Sequence, residues 1–360
     1  MRNLSRFKDW RAVWPALLAA LIVAVTAAAA GIVAERGNAA PAAKAGKTSY
    51  PPKQAKFKRP KLKQGVLTIK GTKASDKITL RLQAGQPDIL QVDVGDDGSA
   101  DFSFARGNVA KIVVSAGSGN DLVRIDESNG AFTDAIPTTI GGGDGNDTIA
   151  GGKGVETLLG GNGNDSIDGN GGNDLALLGA GDDTFVWDPG DGSDTVEGQG
   201  GTDTMLFNGA AVAEQVELSA NGNRLKFFRT QGNITMDTAG IERVDFNALG
   251  GADVVTVNDL SGTDVSNLNV DLAGTLGGAT GDGQADRVVV NATNGNDTID
   301  VSGDANVVKV SGLAPTIKIL HPEVANDRLD VNTLAGRDTV GFVGLVAGAI
   351  RHFVDGVLIP

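Results

Sequence analysis

Residues 142–206 repeat with a period of nine, and no other feature of this 360-residue chain limits its fold so strongly. In every unit, position four is Gly, position six is an acid and position eight is apolar. Five units are contiguous, and two more follow a two-residue insertion, Trp187-Asp188. The units are 142–150, 151–159, 160–168, 169–177, 178–186, 189–197 and 198–206.

This spacing predicts a coil of short strands. Gly in the first half of a unit tolerates positive φ and lets carbonyls turn inward, and the last three residues suit a strand with one buried side chain. The strands would stack into two parallel sheets with two units per full turn, so equivalent positions of alternate units would lie above one another. The insertion lengthens one such step in each column by its own two positions. The predicted acid columns are Asp147–Asp165–Asp183–Asp203 and Glu156–Asp174–Asp194.

The charge of the repeat predicts a cation as partner. Residues 142–206 hold eleven Asp and two Glu against Lys153 alone, a net charge of −12 in a chain whose net charge is −13. Carboxylates stacked about 5 Å apart repel one another unless a cation lies between them. The chain has no Cys and two His, so the ligands would be oxygens, which favours Ca²⁺ over Mg²⁺. The acidic balance argues against a nucleic-acid partner.

The repeat closely resembles GGxGxDxUx, the nonapeptide of the RTX, or hemolysin-type calcium-binding, family, and residues 181–209 are similar to predicted secreted bacterial members. The resemblance implies a parallel β-roll with Ca²⁺ between stacked turns. Unit 151–159 departs from the pattern at Val155 and Glu156, which predicts a weaker site there. The implied metal-site residues are Gly143, Gly145, Asp147, Gly152, Gly154, Glu156, Gly161, Gly163, Asp165, Gly172, Asp174, Gly181, Asp183, Asp194 and Asp203.

Both flanks of the repeat, residues 65–141 and 207–360, carry short apolar runs at intervals near ten, which predicts an all-β protein. We interpret them as further rungs of one solenoid, with sandwich-like segments as the alternative. Asp121 and Asp297 best match the calcium turn but have no copy one or two repeat lengths away, so they predict isolated, weak sites. An acid two residues before an apolar position introduces many of these runs: Asp76, Asp121, Asp253, Asp286, Asp297 and Asp338.

The N-terminus has the layout of an export segment. A basic start precedes the almost wholly apolar run 15–34, and Gly37 and Ala39 suit cleavage after Ala39. Residues 1–39 are therefore predicted to be a signal peptide, with a retained membrane anchor as the alternative. Residues 40–64 are rich in Lys and Pro and lack acids, which predicts a disordered tether.

No catalytic motif is present. His321 and His352 lie far apart in sequence, and neither the zinc-protease nor the lipase motif occurs. We therefore expect a secreted or cell-surface calcium-binding protein with a structural or adhesive role and no enzymatic activity. Its expected partners are Ca²⁺ and a cell-envelope surface or polysaccharide, with membrane contact only through a retained anchor. The alternative is a β-helical carbohydrate lyase or epimerase that carries a roll.

Overall fold

The computed structural model describes residues 57–360 and the backbone of one short strand, Thr26–Ala28. Apart from that strand, the predicted export segment and residues 40–56 lie outside the described residues. Residues 57–360 contain no α-helix, only strands and two 3₁₀ turns, and no described helix is long and apolar enough to cross a membrane. The 3₁₀ turns are Arg106–Asn108 and Gln231–Asn233. The strands are β1 Thr26–Ala28, β2 Lys61–Lys63, β3 Val66–Lys70, β4 Lys77–Gln83, β5 Gln86–Val94, β6 Phe102–Ala105, β7 Lys111–Ser118, β8 Leu122–Asp126, β9 Thr138–Asn146, β10 Thr148–Ala150, β11 Glu156–Asn162, β12 Ser166–Asp168, β13 Leu175–Ala180, β14 Thr184–Trp187, β15 Thr195–Gly200, β16 Thr204–Asn208, β17 Gln215–Asn221, β18 Arg224–Arg229, β19 Ile234–Ala239, β20 Arg243–Asn247, β21 Val254–Val257, β22 Asn267–Asp271, β23 Arg287–Asn291, β24 Thr298–Gly303, β25 Val307–Ser311, β26 Thr316–Leu320, β27 Arg328–Asn332, β28 Thr339–Gly341, β29 Arg351–Val354 and β30 Val357–Leu358.

The strands form two long, mostly parallel sheets. The first runs β2-β3-β7-β9-β11-β13-β15-β19-β18-β17-β21-β23-β27-β29-β30, with β1 beside β9. The second runs β28-β24-β25-β26-β22-β20-β16-β14-β12-β10-β8-β4-β5-β6. Between β9 and β16 the chain alternates between the sheets, one strand per nonapeptide. The prediction of an all-β parallel roll is therefore confirmed.

The register matches the predicted spacing. Thr157 pairs with Thr139 on one side and Leu175 on the other, so each paired strand is two units away along the chain. Across the insertion, Leu175 pairs with Thr195 and Thr184 with Thr204, which is two units plus the inserted pair. The insertion thus lengthens one coil without shifting which side chains face inward.

A single apolar core lies between the two sheets. The side chains at position eight of all seven units are fully buried, because the strand alternation places them on the inner face. The insertion also contributes to this core: Trp187 is fully buried and stacks on Phe207 at a centroid distance of 4.0 Å. The core extends without interruption from Leu67 to Ile350.

The flanks continue the same two sheets as further rungs, and not as sandwiches. Strand β7 pairs in parallel with β9, and β16 pairs in parallel with β20, so the sheets cross both ends of the repeat. Antiparallel excursions, β4–β5–β6, β17–β18–β19 and β24–β25–β26, widen the sheets in places. At the N-terminal side, Lys61–Lys63 pairs with β3 and Leu62 packs on the core, so the predicted tether ends before Lys61.

The prediction that Asp121 and Asp297 are isolated is wrong. The backbone N–H of Asp121 donates to the carboxylate of Asp147, 26 residues on, and that of Asp297 donates to Asp338 Oδ1 at 2.8 Å, 41 residues on. Loops and hairpins between neighbouring rungs lengthen the chain separation while the rungs stay adjacent in space. A search at the repeat length or at twice that length therefore does not find these neighbours.

Candidate functional site

The acids at position six form vertical ladders along the turns of the roll. In most steps, the backbone N–H of one acid donates to a carboxylate oxygen of the acid in the next rung. The N···O distances are 2.6 Å from Asp165 to Asp183, 2.9 Å from Asp183 to Asp203, 2.7 Å from Glu156 to Asp174 and 2.8 Å from Asp174 to Asp194. Both predicted columns are thus brought together, including the longer step that the insertion produces in each. The step from Asp147 to Asp165 lacks this hydrogen bond, but its rungs are adjacent, since Thr148 pairs with Ser166.

In six of the seven acids, hydrogen bonds use only one of the two carboxylate oxygens. The acids are at most 3% exposed, and in each of them an oxygen is buried without a hydrogen-bond partner among the described residues. Asp165 has no partner on either oxygen. A buried charged oxygen without a partner is costly, so each one needs an explanation such as a bound ion. The unpartnered atoms in the repeat are Asp147 Oδ2, Glu156 Oε1, Asp165 Oδ1 and Oδ2, Asp174 Oδ2, Asp183 Oδ2, Asp194 Oδ2 and Asp203 Oδ2.

The glycines allow carbonyl oxygens to approach these acids closely. At position four, a Cβ on Gly172 would lie 1.5 Å from the carbonyl oxygen of Gly154, and one on Gly181 would lie 2.1 Å from that of Gly163. At position one, a Cβ on Gly160 would lie 2.3 Å from Asp165 Oδ2 and 2.0 Å from the carbonyl oxygen of Leu178. Carboxylate and carbonyl oxygens therefore converge between rungs, in space that any side chain would fill.

The backbone at position two distinguishes two kinds of turn, which together include all seven turns of the repeat. In an open turn, which we define by positive φ at position two, that residue's N–H does not donate to the acid of its own turn. In a closed turn, where φ is not positive, the N–H at position two donates to the acid four residues later. Open turns of the repeat have Gly143, Gly161, Asn170, Gly179, Gly190 and Gln199 at position two. Closed turns join Thr72 to Asp76, Gly152 to Glu156, Ala210 to Glu214, Thr293 to Asp297 and Glu323 to Asp327, at 2.6–3.1 Å.

Unit 151–159 is thus the exception within the repeat. Neither Gly152 nor Gly154 has positive φ, contrary to the role predicted for them. The longer Glu156 side chain reaches back to the N–H of Gly152 at 2.8 Å, which leaves only its Oε1 without a partner. The unit that departs from the sequence pattern, with Glu156 in place of Asp, is thus the one unit of the repeat with a closed turn.

Burial raises the pKa values of the stacked acids, and neighbouring carboxylates add to the effect. The pKa of Asp147 is raised to about 10, and the pKa values of Asp165 and Asp174 to about 8. Those of Glu156, Asp183 and Asp194 are raised to about 7, and that of Asp203 to about 6. Without a cation, the turns therefore resist full ionisation near neutral pH.

The donor set fits a hard cation held mainly by backbone oxygens. In residues 57–360, no group of three or more His, Asp or Glu side chains converges in a way that could hold a metal. Any ion between rungs would have one or two carboxylates, with carbonyls as the remaining ligands. Flexible oxygen-only coordination of this kind is typical of Ca²⁺, while Mg²⁺ requires a tighter octahedron.

Three ladder acids of the C-terminal flank, Glu214, Glu242 and Asp327, were not predicted from the sequence. The N–H of Asp203 donates to Glu242 Oε2 at 2.7 Å. Glu214 donates its N–H to Asp253 Oδ1 at 2.7 Å, and Asp286 donates to Asp327 Oδ1 at 3.0 Å. All three lie two residues before a buried apolar residue, so the signal that found Asp76 and Asp253 would have found them. The two histidines lie apart from these ladders, with His321 bound to Asp271 at 2.7 Å.

Comparisons with known proteins add a distant structural likeness. No protein-family model matches the sequence, and no curated protein does. Among solved structures, the chain is similar to the extracellular lipase LipA from Serratia marcescens, with 12% sequence identity over 59% of this chain and a TM-score of 0.21. The match spans 42% of the lipase, less than half of its length. A TM-score this low does not establish a common fold, so the assignment to a parallel β-roll depends on the strand pairing above.

Proposed function

We propose that this chain is a calcium-binding protein of the RTX type, in which ions between stacked turns hold the roll together. The observation that carries the proposal is the row of buried carboxylate oxygens without partners, repeated from rung to rung. The convergence of carbonyl oxygens at the glycines supports it, as does the resemblance of the nonapeptide. In this role Asp147, Asp165, Asp174, Asp183, Asp194 and Asp203 supply charge, and the turn carbonyls supply the remaining oxygens.

We further propose a structural or adhesive role outside the cytoplasm. The long roll offers two extended faces and depends, in this proposal, on an ion that is abundant outside cells. The faces would meet a cell-envelope surface or a polysaccharide.

Calorimetric titration tests the calcium proposal directly. We expect Ca²⁺ to bind with dissociation constants of about 10⁻⁴–10⁻³ M per site, the range of extracellular modules, and Mg²⁺ to bind more weakly. Asp165→Asn keeps the side-chain shape and removes charge from a residue with two free oxygens, so it should reduce the heat of calcium binding. The matched control is Asp304→Asn at the exposed tip of the β24–β25 hairpin, which should leave it unchanged. Equal binding of both ions, or no heat with either, would refute the assignment.

The proposed location is tested by the mature N-terminus. The basic start, the apolar run 15–34 and the Gly37 and Ala39 pair predict cleavage after Ala39. N-terminal sequencing of protein from the native host should therefore begin near residue 40. An intact N-terminus in the membrane fraction would favour the anchored alternative, and an intact cytosolic protein would contradict export.

A further inference from the structure

The turn before β8, residues 116–121, has the geometry of the repeat turns although it lies outside the nonapeptide period. Gly117 and Gly119 have φ of +123° and +110°, close to the +130° and +119° of Gly161 and Gly163. A Cβ on Gly145 would lie 2.5 Å from the carbonyl oxygen of Gly119, as one on Gly181 lies 2.1 Å from that of Gly163. This is an open turn with its position-four carbonyl facing the next rung.

The turn is stacked directly on the first unit of the repeat. Gly117 pairs with Gly143 in the sheet, and the N–H of Asp121 donates to the carboxylate of Asp147. The N–H of Asn146 donates to Asn120 Oδ1 at 3.0 Å, and the corresponding bond deeper in the repeat, from Asp182 to Asn164, is 3.1 Å. Asp121 and Asp147 are therefore stacked in the same way as the acids of alternate units of the repeat, although more residues separate them along the chain.

This step has the same unpartnered oxygens as the repeat. Asp121 is 3% exposed and Asp147 is fully buried, and Oδ2 of each has no hydrogen-bond partner. Neither carboxylate is in an ion pair with a basic side chain of the described residues. Burial raises the pKa of Asp121 to about 7, which agrees with a missing counter-charge.

The series of open turns ends at the preceding rung, which carries Asp76. Asp76 donates its N–H to Asp121 Oδ1 at 2.7 Å, but its turn is closed, because the N–H of Thr72 donates to Asp76 Oδ2 at 2.6 Å. In the other flank, Asp253 has an unpartnered oxygen too, but the guanidinium of Arg229 binds the adjacent Glu214 and supplies positive charge there. Among the flanking steps of the described residues, the step from Asp121 to Asp147 is thus the one that joins two open turns, with Gly117 and Gly143 at position two.

We propose that the turns 116–121 and 142–147 together form a divalent-cation site that the nonapeptide period does not reveal, with Asp121 and Asp147 as its two carboxylates. The site rests on the proposed function, since its donor oxygens are of the same kind as those of the repeat and select Ca²⁺ for the same reason. The column of cation sites proposed for the repeat would therefore begin one rung earlier, at Asp121 instead of Asp147.

Asp121→Asn tests this site, with Asp297→Asn as the matched control. Each Asn has nearly the volume of Asp and keeps one acceptor oxygen, for the N–H of Asp76 at position 121 and for the N–H of Thr293 at position 297. In Asp297, however, Thr293 already satisfies the second oxygen, with N···Oδ2 at 3.0 Å and Oγ1···Oδ2 at 2.8 Å. Equilibrium dialysis of the full chain against Ca²⁺ should show one ion fewer per chain for Asp121→Asn and the wild-type number for Asp297→Asn.

The outcomes separate this site from the general proposal. Wild-type calcium content in Asp121→Asn would overturn the site while leaving calcium binding intact, and a loss in both variants would overturn the distinction between open and closed turns. No calcium in the wild type would refute the proposed function itself. Circular dichroism in Ca²⁺ checks that the variant folds. Should Asp121→Asn unfold, Asp121→Glu, which keeps the charge, should retain the ion with lower affinity, and wild-type affinity in that variant would contradict ligation by Asp121.

Discussion

Chelation of Ca²⁺ at pH 8 should expose the backbone amides of residues 142–206 to hydrogen exchange while the strands of the flanks stay protected. The repeat carries a net charge of −12, its seven acids at position six are buried in stacks, and each rung of a solenoid is stabilised mainly by its neighbours. A site at about 100 times its dissociation constant gains about 2.7 kcal/mol from the ion, so repeat amides should exchange about 100-fold faster without it. Exchange mass spectrometry on the full chain measures this. Full protection of 142–206 in chelator would show that the roll does not need the ion.

Acidification in the same chelator should reverse part of that loss. The folded pKa values of the stacked acids, about 6 to 10, lie above the unfolded value near 4, so the folded state binds more protons. Their stabilising contribution is complete below pH 4 and disappears as the pH rises through the folded values. The apo repeat should therefore be better protected at pH 5 than at pH 8, after correction for intrinsic exchange rates. Saturating Ca²⁺, which favours the ionised acids, should abolish this preference for low pH.

Arg229→Met should be the most destabilising single substitution in the C-terminal flank. The Arg229 side chain is 9% exposed, and its Nε and Nη2 both donate to Oε1 of the fully buried Glu214 side chain, Nε at 2.7 Å. Its guanidinium also lies 5.4 Å from the centre of the Trp187 ring. Removing one partner of a buried ion pair leaves the other charge uncompensated, which costs about 3–5 kcal/mol. Urea unfolding followed by circular dichroism, at fixed Ca²⁺, measures the loss.

Two further variants separate charge from packing in that experiment. Arg243→Met removes the surface partner of Asp245, and since the Arg243 side chain is 49% exposed it should cost at most about 1 kcal/mol. Arg229→Met combined with Glu214→Gln removes both charges but keeps an acceptor for the N–H of Ala210, so it should recover most of the stability. A double variant no more stable than Arg229→Met would assign the loss to packing against Trp187.

Much of the roll follows from the nine-residue period alone. A strand places every second side chain on one face, so one apolar residue at position eight per unit is enough to build the core. Two units per coil then place the acids of alternate units in vertical columns. The same logic located Asp76, Asp253, Asp286 and Asp338 in the flanks, because an acid two residues before an inward position occupies the same point of the turn. The columns themselves could therefore be predicted.

The tertiary structure decided which turns are open. Asn170, Gln199 and Leu249 adopt positive φ at position two although they are not Gly, a conformation that costs of order 1–3 kcal/mol and persists only where the neighbouring rungs impose it. Gly152, which could adopt that conformation freely, does not. The tertiary structure also decided which acids are neighbours: Asp121 meets Asp147 across a 26-residue separation, while Asp297, the other flank acid that matches the calcium turn, is satisfied by Thr293. Residue type sets how easily a turn opens, but the stacking of rungs determines whether it does.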